Sequence, residues 1–198
     1  MPRFASHVAD KQILRERRGF SLRLTLSPHK RKQDMTQEFE FTVDGRPVSV
    51  VLDNEETPLL NVLRNNLGVM GTRYGCGLDQ CGCCMVLIDG APEKSCSKPV
   101  WSVAGKTVTT IEGLGTAEHP HPLQQAFVDE QAGQCGYCLA GILISAKALL
   151  DRNPQPTRSE IAQALDGNIC RCGAHNRVMR AIEKAAAQMR AVMYAGVR

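Results

Sequence analysis

A chain of 198 residues has room for one ordinary domain or two small ones, and its 43% hydrophobic residues must build an aliphatic core, because aromatics make up only 5%. No run approaches the roughly 18 apolar residues that span a bilayer, which excludes an integral membrane protein. Residues 1–34 hold nine Lys/Arg against three acidic residues, so of the net +4 they carry +6 and the rest of the chain carries −2. The basic footprint of a nucleic-acid binder is thus confined to a tail, and no nucleic-acid partner is expected.

Residues 1–35 read as a basic, disordered extension. Arg17-Arg18-Gly19-Phe20 has the form of a twin-arginine export signal. Residues 21–26, however, are too few for an apolar signal core, include Arg23, and run into Pro28-His29-Lys30-Arg31-Lys32. Met35 stands where patterned sequence begins and is an alternative start.

From Glu38 the pattern is that of strands. Phe39, Phe41 and Val43 alternate with polar residues, Asp44-Gly45 is a hairpin dipeptide, and Val48, Val50 and Leu52 alternate again. Thr57-Pro58 opens a helix that carries Leu59, Leu60, Val62, Leu63 and Leu67 on one face and stops at Gly68. Residues 85–89 and 107–111 read as further strands. This is an α+β pattern, a small mixed sheet wrapped on one helix in the β-grasp manner, over residues 36–113.

Between that helix and the third strand lies Gly75-Cys76-Gly77-Leu78-Asp79-Gln80-Cys81-Gly82-Cys83-Cys84, and Cys96 follows. Cys76, Cys81, Cys84 and Cys96 have the C-x4-C-x2-C…C spacing of plant-type ferredoxins. Three thiolates must reach two adjacent irons from one tight turn, and Gly75, Gly77 and Gly82 let the backbone bend around the cluster with its amides turned toward sulfur. Zinc is the alternative metal, but its sites usually pair two C-x2-C hooks or include His. Cys83 is surplus: a small packing residue, a spare ligand or an oxidation-sensitive thiol.

Residues 114–122 read as a linker, in which His119 and His121 are expected to be solvated. From residue 123 to 198 the period is helical, and four helices with short connections predict a bundle. Thr157-Arg158-Ser159-Glu160 is a capping box for the third helix, and Asn176 begins the fourth. Gln134-Cys135-Gly136-Tyr137-Cys138 and Asn168-Ile169-Cys170-Arg171-Cys172-Gly173 bring four thiols to helix N-termini, which favour the negative charge of a thiolate-ligated cluster.

Both cysteine blocks, in this order, resemble the small iron–sulfur subunit of the molybdenum hydroxylases, the xanthine oxidase family, over about residues 38–190. Arg73-Tyr74-Gly75-Cys76 and Cys138-Leu139-Ala140-Gly141 are most similar to the small subunits of nicotinate dehydrogenase and isoquinoline 1-oxidoreductase. Cys83 and Met85 depart from the family, which has a small residue and Thr at those places. The resemblance implies a β-grasp ferredoxin-like domain followed by a four-helix bundle domain, with one [2Fe–2S] cluster in each. It implies that Cys76, Cys81, Cys84 and Cys96 hold one cluster and that Cys135, Cys138, Cys170 and Cys172 hold the other, nearer molybdenum. Gln134 and Cys172 then touch a molybdopterin, in its cytosine dinucleotide form, carried by a large partner subunit.

The chain itself has no catalytic residue on this reading. It relays electrons from that subunit, which hydroxylates an N-heteroaromatic compound or oxidises an aldehyde, to an external acceptor, cytochrome c or a flavoprotein. A free-standing two-cluster carrier is the alternative. Reduced ligand thiols place cluster assembly in the cytoplasm, and a periplasmic or membrane-associated finished complex is compatible with this.

Overall fold

A computed structural model describes residues 36–195. The extension expected over residues 1–35, with its arginine pair and Met35, lies outside the described residues. Strands β1 (Gln37–Val43) and β2 (Arg46–Leu52) form a hairpin in register from Val43↔Arg46 to Gln37↔Leu52. Its turn is Asp44-Gly45, with φ of +49° and +77°, the left-handed pair that matches the twist of a two-residue hairpin. Phe39, Phe41, Val43 and Val50 are buried while Glu38 and Glu40 face outward, so the alternation read from the sequence sets the face.

Strands β3 (Met85–Ile88), β4 (Ala91–Lys94) and β5 (Thr107–Thr109) complete a five-stranded mixed sheet of order β2-β1-β5-β3-β4. β1 and β5 run parallel at its centre; the other pairs are antiparallel. β4 was not expected from its sequence, Ala-Pro-Glu-Lys. It is an edge strand, the one place in a sheet where a proline and charged side chains are tolerated.

The helix expected after Pro58 is only partly α-helical. One turn, α1 (Leu59–Asn61), widens into a π-helical turn over Val62–Asn66, where the Leu67 N–H donates to the Val62 carbonyl at 3.1 Å. From this widened turn Arg64 Nη1 donates to the carbonyls of Met70 (2.9 Å) and Thr72 (2.8 Å). The helix end is thereby tied to the segment that leads into the first cysteine loop. Leu59, Val62 and Leu63 pack with Val86, Ile88, Val100, Val103 and Val108 in the first core.

Helices α2 (Pro122–Asp129), α3 (Leu139–Arg152), α4 (Arg158–Ala164) and α5 (His175–Ala195) form the expected four-helix unit. Leu123, Phe127, Ile142, Leu143, Ile161, Val178 and Ile182 fill its core. Burying each large aliphatic side chain fully contributes about 1.5–3 kcal/mol. The Thr157–Glu160 capping box opens α4 as read from the sequence. His121 differs from expectation. It is half-buried, and its Nδ1 accepts from the Leu123 N–H at 3.2 Å while the Gln124 Oε1 accepts from the His121 N–H at 2.8 Å, so the imidazole caps α2.

The two cores share β3. Val86 and Ile88 face the first core, whereas Met85 and Leu87 pack on Ile144 and Ala148 of α3. Among the described residues no helix is long and apolar enough to cross a membrane.

Candidate metal centres

The first cysteine loop turns its amides onto sulfur. Cys76 Sγ accepts N–H groups from Leu78 (3.3 Å), Gln80 (3.4 Å) and Cys81 (3.4 Å), and Cys81 Sγ accepts from the Cys76 N–H at 3.3 Å. These amides hold the Cys76 thiol down to about 6, so it is a thiolate at neutral pH. The turn needs its glycines. A Cβ on Gly75 would stand 2.5 Å from Cys81 Sγ, and Gly77 and Gly82 have φ of +66° and +71°. Cys84 sits at the inner end of the loop, where burial pushes its thiol up to about 12. Its carbonyl accepts from the N–H (3.2 Å) and hydroxyl (2.7 Å) of buried Ser95, which sets Cys96 beside it.

The second set lies at two helix starts. Cys138 is the residue before α3, and residues 170–173 turn at Gly173 (φ +70°) just ahead of α5. Cys135 is exposed, and the Tyr137 N–H, then the Cys172 thiol, lower its pKa. Cys138 is buried and pushed up to about 12, by burial first and the Cys170 thiol second. Burial also acts on Cys170, but the amides of Ala174, Cys172 and Gly173 and the Cys138 thiol outweigh it, and the net shift is downward. Gln134 is exposed at the mouth of this set, and its Nε2 donates to the Cys172 carbonyl at 3.2 Å.

The eight thiols meet two by two: Cys76 with Cys81, Cys84 with Cys96, Cys135 with Cys172, and Cys138 with Cys170. No three His, Cys, Asp or Glu side chains converge on one ion-sized point among the described residues. Two thiol pairs per site fit a two-iron cluster, in which each iron takes two protein ligands, better than a mononuclear zinc. The inward amides suit bridging sulfides as well as thiolates.

The two loops touch. The Ile169 N–H donates to the Cys81 carbonyl at 3.0 Å, and Asn168 Nδ2 reaches the Gly82 carbonyl at 3.4 Å. Gly141 of α3 rests against the Gly82 carbonyl with no room for a Cβ. The Tyr137 hydroxyl donates to the Tyr74 carbonyl, and the Arg73 guanidinium lies 5.9 Å from the Tyr137 ring centroid. Sequence reasoning missed this junction; a glycine inside a strongly apolar helix was its one local signal. Cys83 lies in the seam, 6% exposed, with its thiol pushed up to about 12 by burial and then by Cys81. It packs in the core of the helical unit.

Fold and thiols together define a two-domain iron–sulfur protein. Its residues 41–106 match the 2Fe-2S iron-sulfur cluster binding domain, and residues 110–183 match the [2Fe-2S] binding domain. A nicotinate dehydrogenase subunit of Pseudomonas putida is 50% identical over 152 residues, covering 77% of this chain and 96% of that one. The alpha subunit of isoquinoline 1-oxidoreductase from Brevundimonas diminuta is 48% identical over 147 residues, covering 74% and 96%. Among solved structures, quinoline 2-oxidoreductase from Pseudomonas putida 86 superposes with a TM-score of 0.74 at 36% identity over 77% of this chain and 94% of that chain. The aldehyde oxidoreductase of Desulfovibrio gigas gives 0.75 at 37% identity over 78% of this chain, but only 17% of its own longer chain is covered. The chain belongs to the small iron–sulfur subunits of the molybdenum hydroxylases, the xanthine oxidase family. It is the iron–sulfur part of an oxidoreductase; in that family the catalytic molybdenum site lies on another chain.

Proposed function

We propose that this chain passes electrons from a molybdopterin site on a large partner subunit to an external acceptor, through the helical-domain cluster first and the ferredoxin-like cluster second. Cys135, Cys138, Cys170 and Cys172 hold the former; Cys76, Cys81, Cys84 and Cys96 hold the latter. The clusters, when bound, each take up and release one electron. The chain's own residues fix their order and surroundings. Gln134 and Cys172 share the open mouth of the second set and are the residues that meet the pterin, which we take to be the cytosine dinucleotide form. The ferredoxin-like unit (36–113), the linker (114–122) and the helical unit (123–198) are the functional divisions.

The observation that carries the reading is the contact between the loops. One hydrogen bond, from Ile169 to Cys81, joins residues that are or adjoin a ligand of each cluster. Two sites in series suit a relay. Relatives named for nicotinate and isoquinoline favour an N-heteroaromatic substrate over an aldehyde, with cytochrome c or a flavoprotein as acceptor.

The test is to purify the chain with whatever binds it and to measure iron, acid-labile sulfide, zinc and molybdenum. About four irons and four sulfides per chain are expected from two [2Fe–2S] sites, together with a large molybdenum-containing subunit. A stable, fully loaded chain without such a partner would instead support a free-standing carrier, and a colourless zinc protein would overturn both.

A further inference from the structure

Nine large hydrophobic side chains stand exposed among the described residues, and four of them, Tyr74, Leu78, Tyr137 and Ile169, lie within two residues of a proposed cluster ligand. These four belong to one junction. The Tyr137 hydroxyl donates to the Tyr74 carbonyl, and the Arg73 guanidinium lies over the Tyr137 ring. The Tyr74 ring covers Gly77, where a Cβ would stand 2.9 Å from Tyr74 Cζ, and Leu78 is the next residue. The Ile169 N–H holds the second loop on Cys81 of the first.

Tyr74 is 55% exposed and Tyr137 47%, yet both are held in place. Tyr137 is tied by its hydroxyl and by the guanidinium on its face, and Tyr74 lies on the loop beneath it. Little rotamer freedom is left for them to lose on association. Tyr and Arg are also the residue types that carry most of the energy of protein interfaces. The rim of the patch is cationic: Arg73 and Arg171 are exposed, and neither has a carboxylate partner among the described residues. Gln134 and Cys135 are exposed next to Tyr137, so whatever covers the patch also covers the mouth of the second set. We propose that the large pterin-carrying partner subunit seats on this patch and straddles both cysteine loops, with an apolar surface whose flanking carboxylates meet Arg73 and Arg171. The inference rests on the proposed function and extends it. The partner does not stop at the second set but reaches the first cluster's loop, and the external acceptor is left the faces away from Tyr74.

The test is made on the intact complex. A photo-crosslinking amino acid, p-benzoylphenylalanine, replaces Tyr74 or, as a control, the exposed Trp101; the complex is illuminated and the joined chains are identified by mass spectrometry. Tyr74 is expected to crosslink to the molybdenum-containing chain, and Trp101 is not. Crosslinking from Tyr74 to a different chain, or to none, overturns the proposal, and so does equal yield from both positions. Arg73→Glu, with its iron retained, is expected to raise the dissociation constant of the complex about tenfold. An unchanged dissociation constant overturns the acidic rim. Failure of the underlying reading looks different: the purified complex then contains no molybdenum-bearing chain, and the patch has no such occupant.

Discussion

The Ile169 N–H donates to the Cys81 carbonyl at 3.0 Å, and this backbone hydrogen bond makes the two cysteine loops one structure. Ile169 is covalently next to Cys170. From the Cys170 backbone the connection to the Cys81 peptide therefore needs one peptide unit and one hydrogen bond.

The neighbouring residue offers a way to test this junction. Gly82 has φ +71°, and a Cβ there would collide with the Gly167 carbonyl and with Asn168 Nδ2, the amide that reaches the Gly82 carbonyl from the other loop. Gly82→Ala is expected to lower stability by about 1–3 kcal/mol from the collision, on top of the cost of a left-handed backbone at a residue with a Cβ, and to slow electron equilibration between the clusters. Gly90→Ala, at φ +82° with open space around it, is the control, bearing only the left-handed backbone cost of about 1–2 kcal/mol. Denaturation midpoints and pulse-radiolysis kinetics read the two effects separately.

Ligand substitutions should act on one site at a time. Cys135→Ala is expected to remove about two of the four irons and leave the first cluster's resonance intact, and Cys84→Ala should do the reverse. Iron analysis and paramagnetic resonance check this. Cys84→Ala also deletes a buried side chain beside Ser95, so the stability of that variant is measured alongside.

Asp44 ties the hairpin turn to the segment that follows β5, at the end of the ferredoxin-like unit. Its carboxylate accepts from the Thr110 N–H and the Thr110 hydroxyl, both at 2.7 Å, and Thr110 is fully buried. Asp44→Ala leaves two buried donors without a partner and is expected to cost about 1–3 kcal/mol for each that stays unsatisfied. Asp44→Asn keeps an acceptor and tolerates the positive φ, so it should lose less. Chemical denaturation of the cluster-loaded protein gives both values.

Stability should also fall with acid through His121. Its imidazole accepts the Leu123 N–H as a neutral ring, and burial, then Lys147, lowers its pKa below 6.5, with Asp151 opposing. The folded chain resists a proton that the unfolded chain accepts. The contribution is therefore fully present above the unfolded pKa and is lost as pH falls through the folded one. His121→Asn keeps an N-cap acceptor that does not titrate. The parent should lose more stability than this variant between about pH 7.5 and about pH 5.5, a range that brackets free imidazole. Parallel melting of the two proteins measures the difference.

Much of this architecture is legible in the residues. Asp44-Gly45 announces its turn, Thr157 with Glu160 announces its cap, and the cysteine spacings announce two-iron chemistry, because each is a local rule with one common solution. What escaped has a non-local cause. β4 carries a proline and charges and forms only because β3 offers it an edge. The widened turn at Val62 is stabilised by Arg64 reaching carbonyls six and eight residues away. His121 looks like a loop residue until α2 and Lys147 close around it. The pairing of Gly82 with Gly141 joins residues far apart in sequence; the glycine within the apolar helix marks one side of it, and nothing local names its partner.

The sharing of β3 has a practical consequence for anyone who would cut this chain in two. Severed after residue 113, the ferredoxin-like half would carry Met85 and Leu87 bare on a sheet face, and the helical half would lose the wall behind Ile144 and Ala148. Each fragment would present an adhesive surface in place of a finished exterior. The two cluster carriers therefore share one wall, and each is expected to fold well only beside the other.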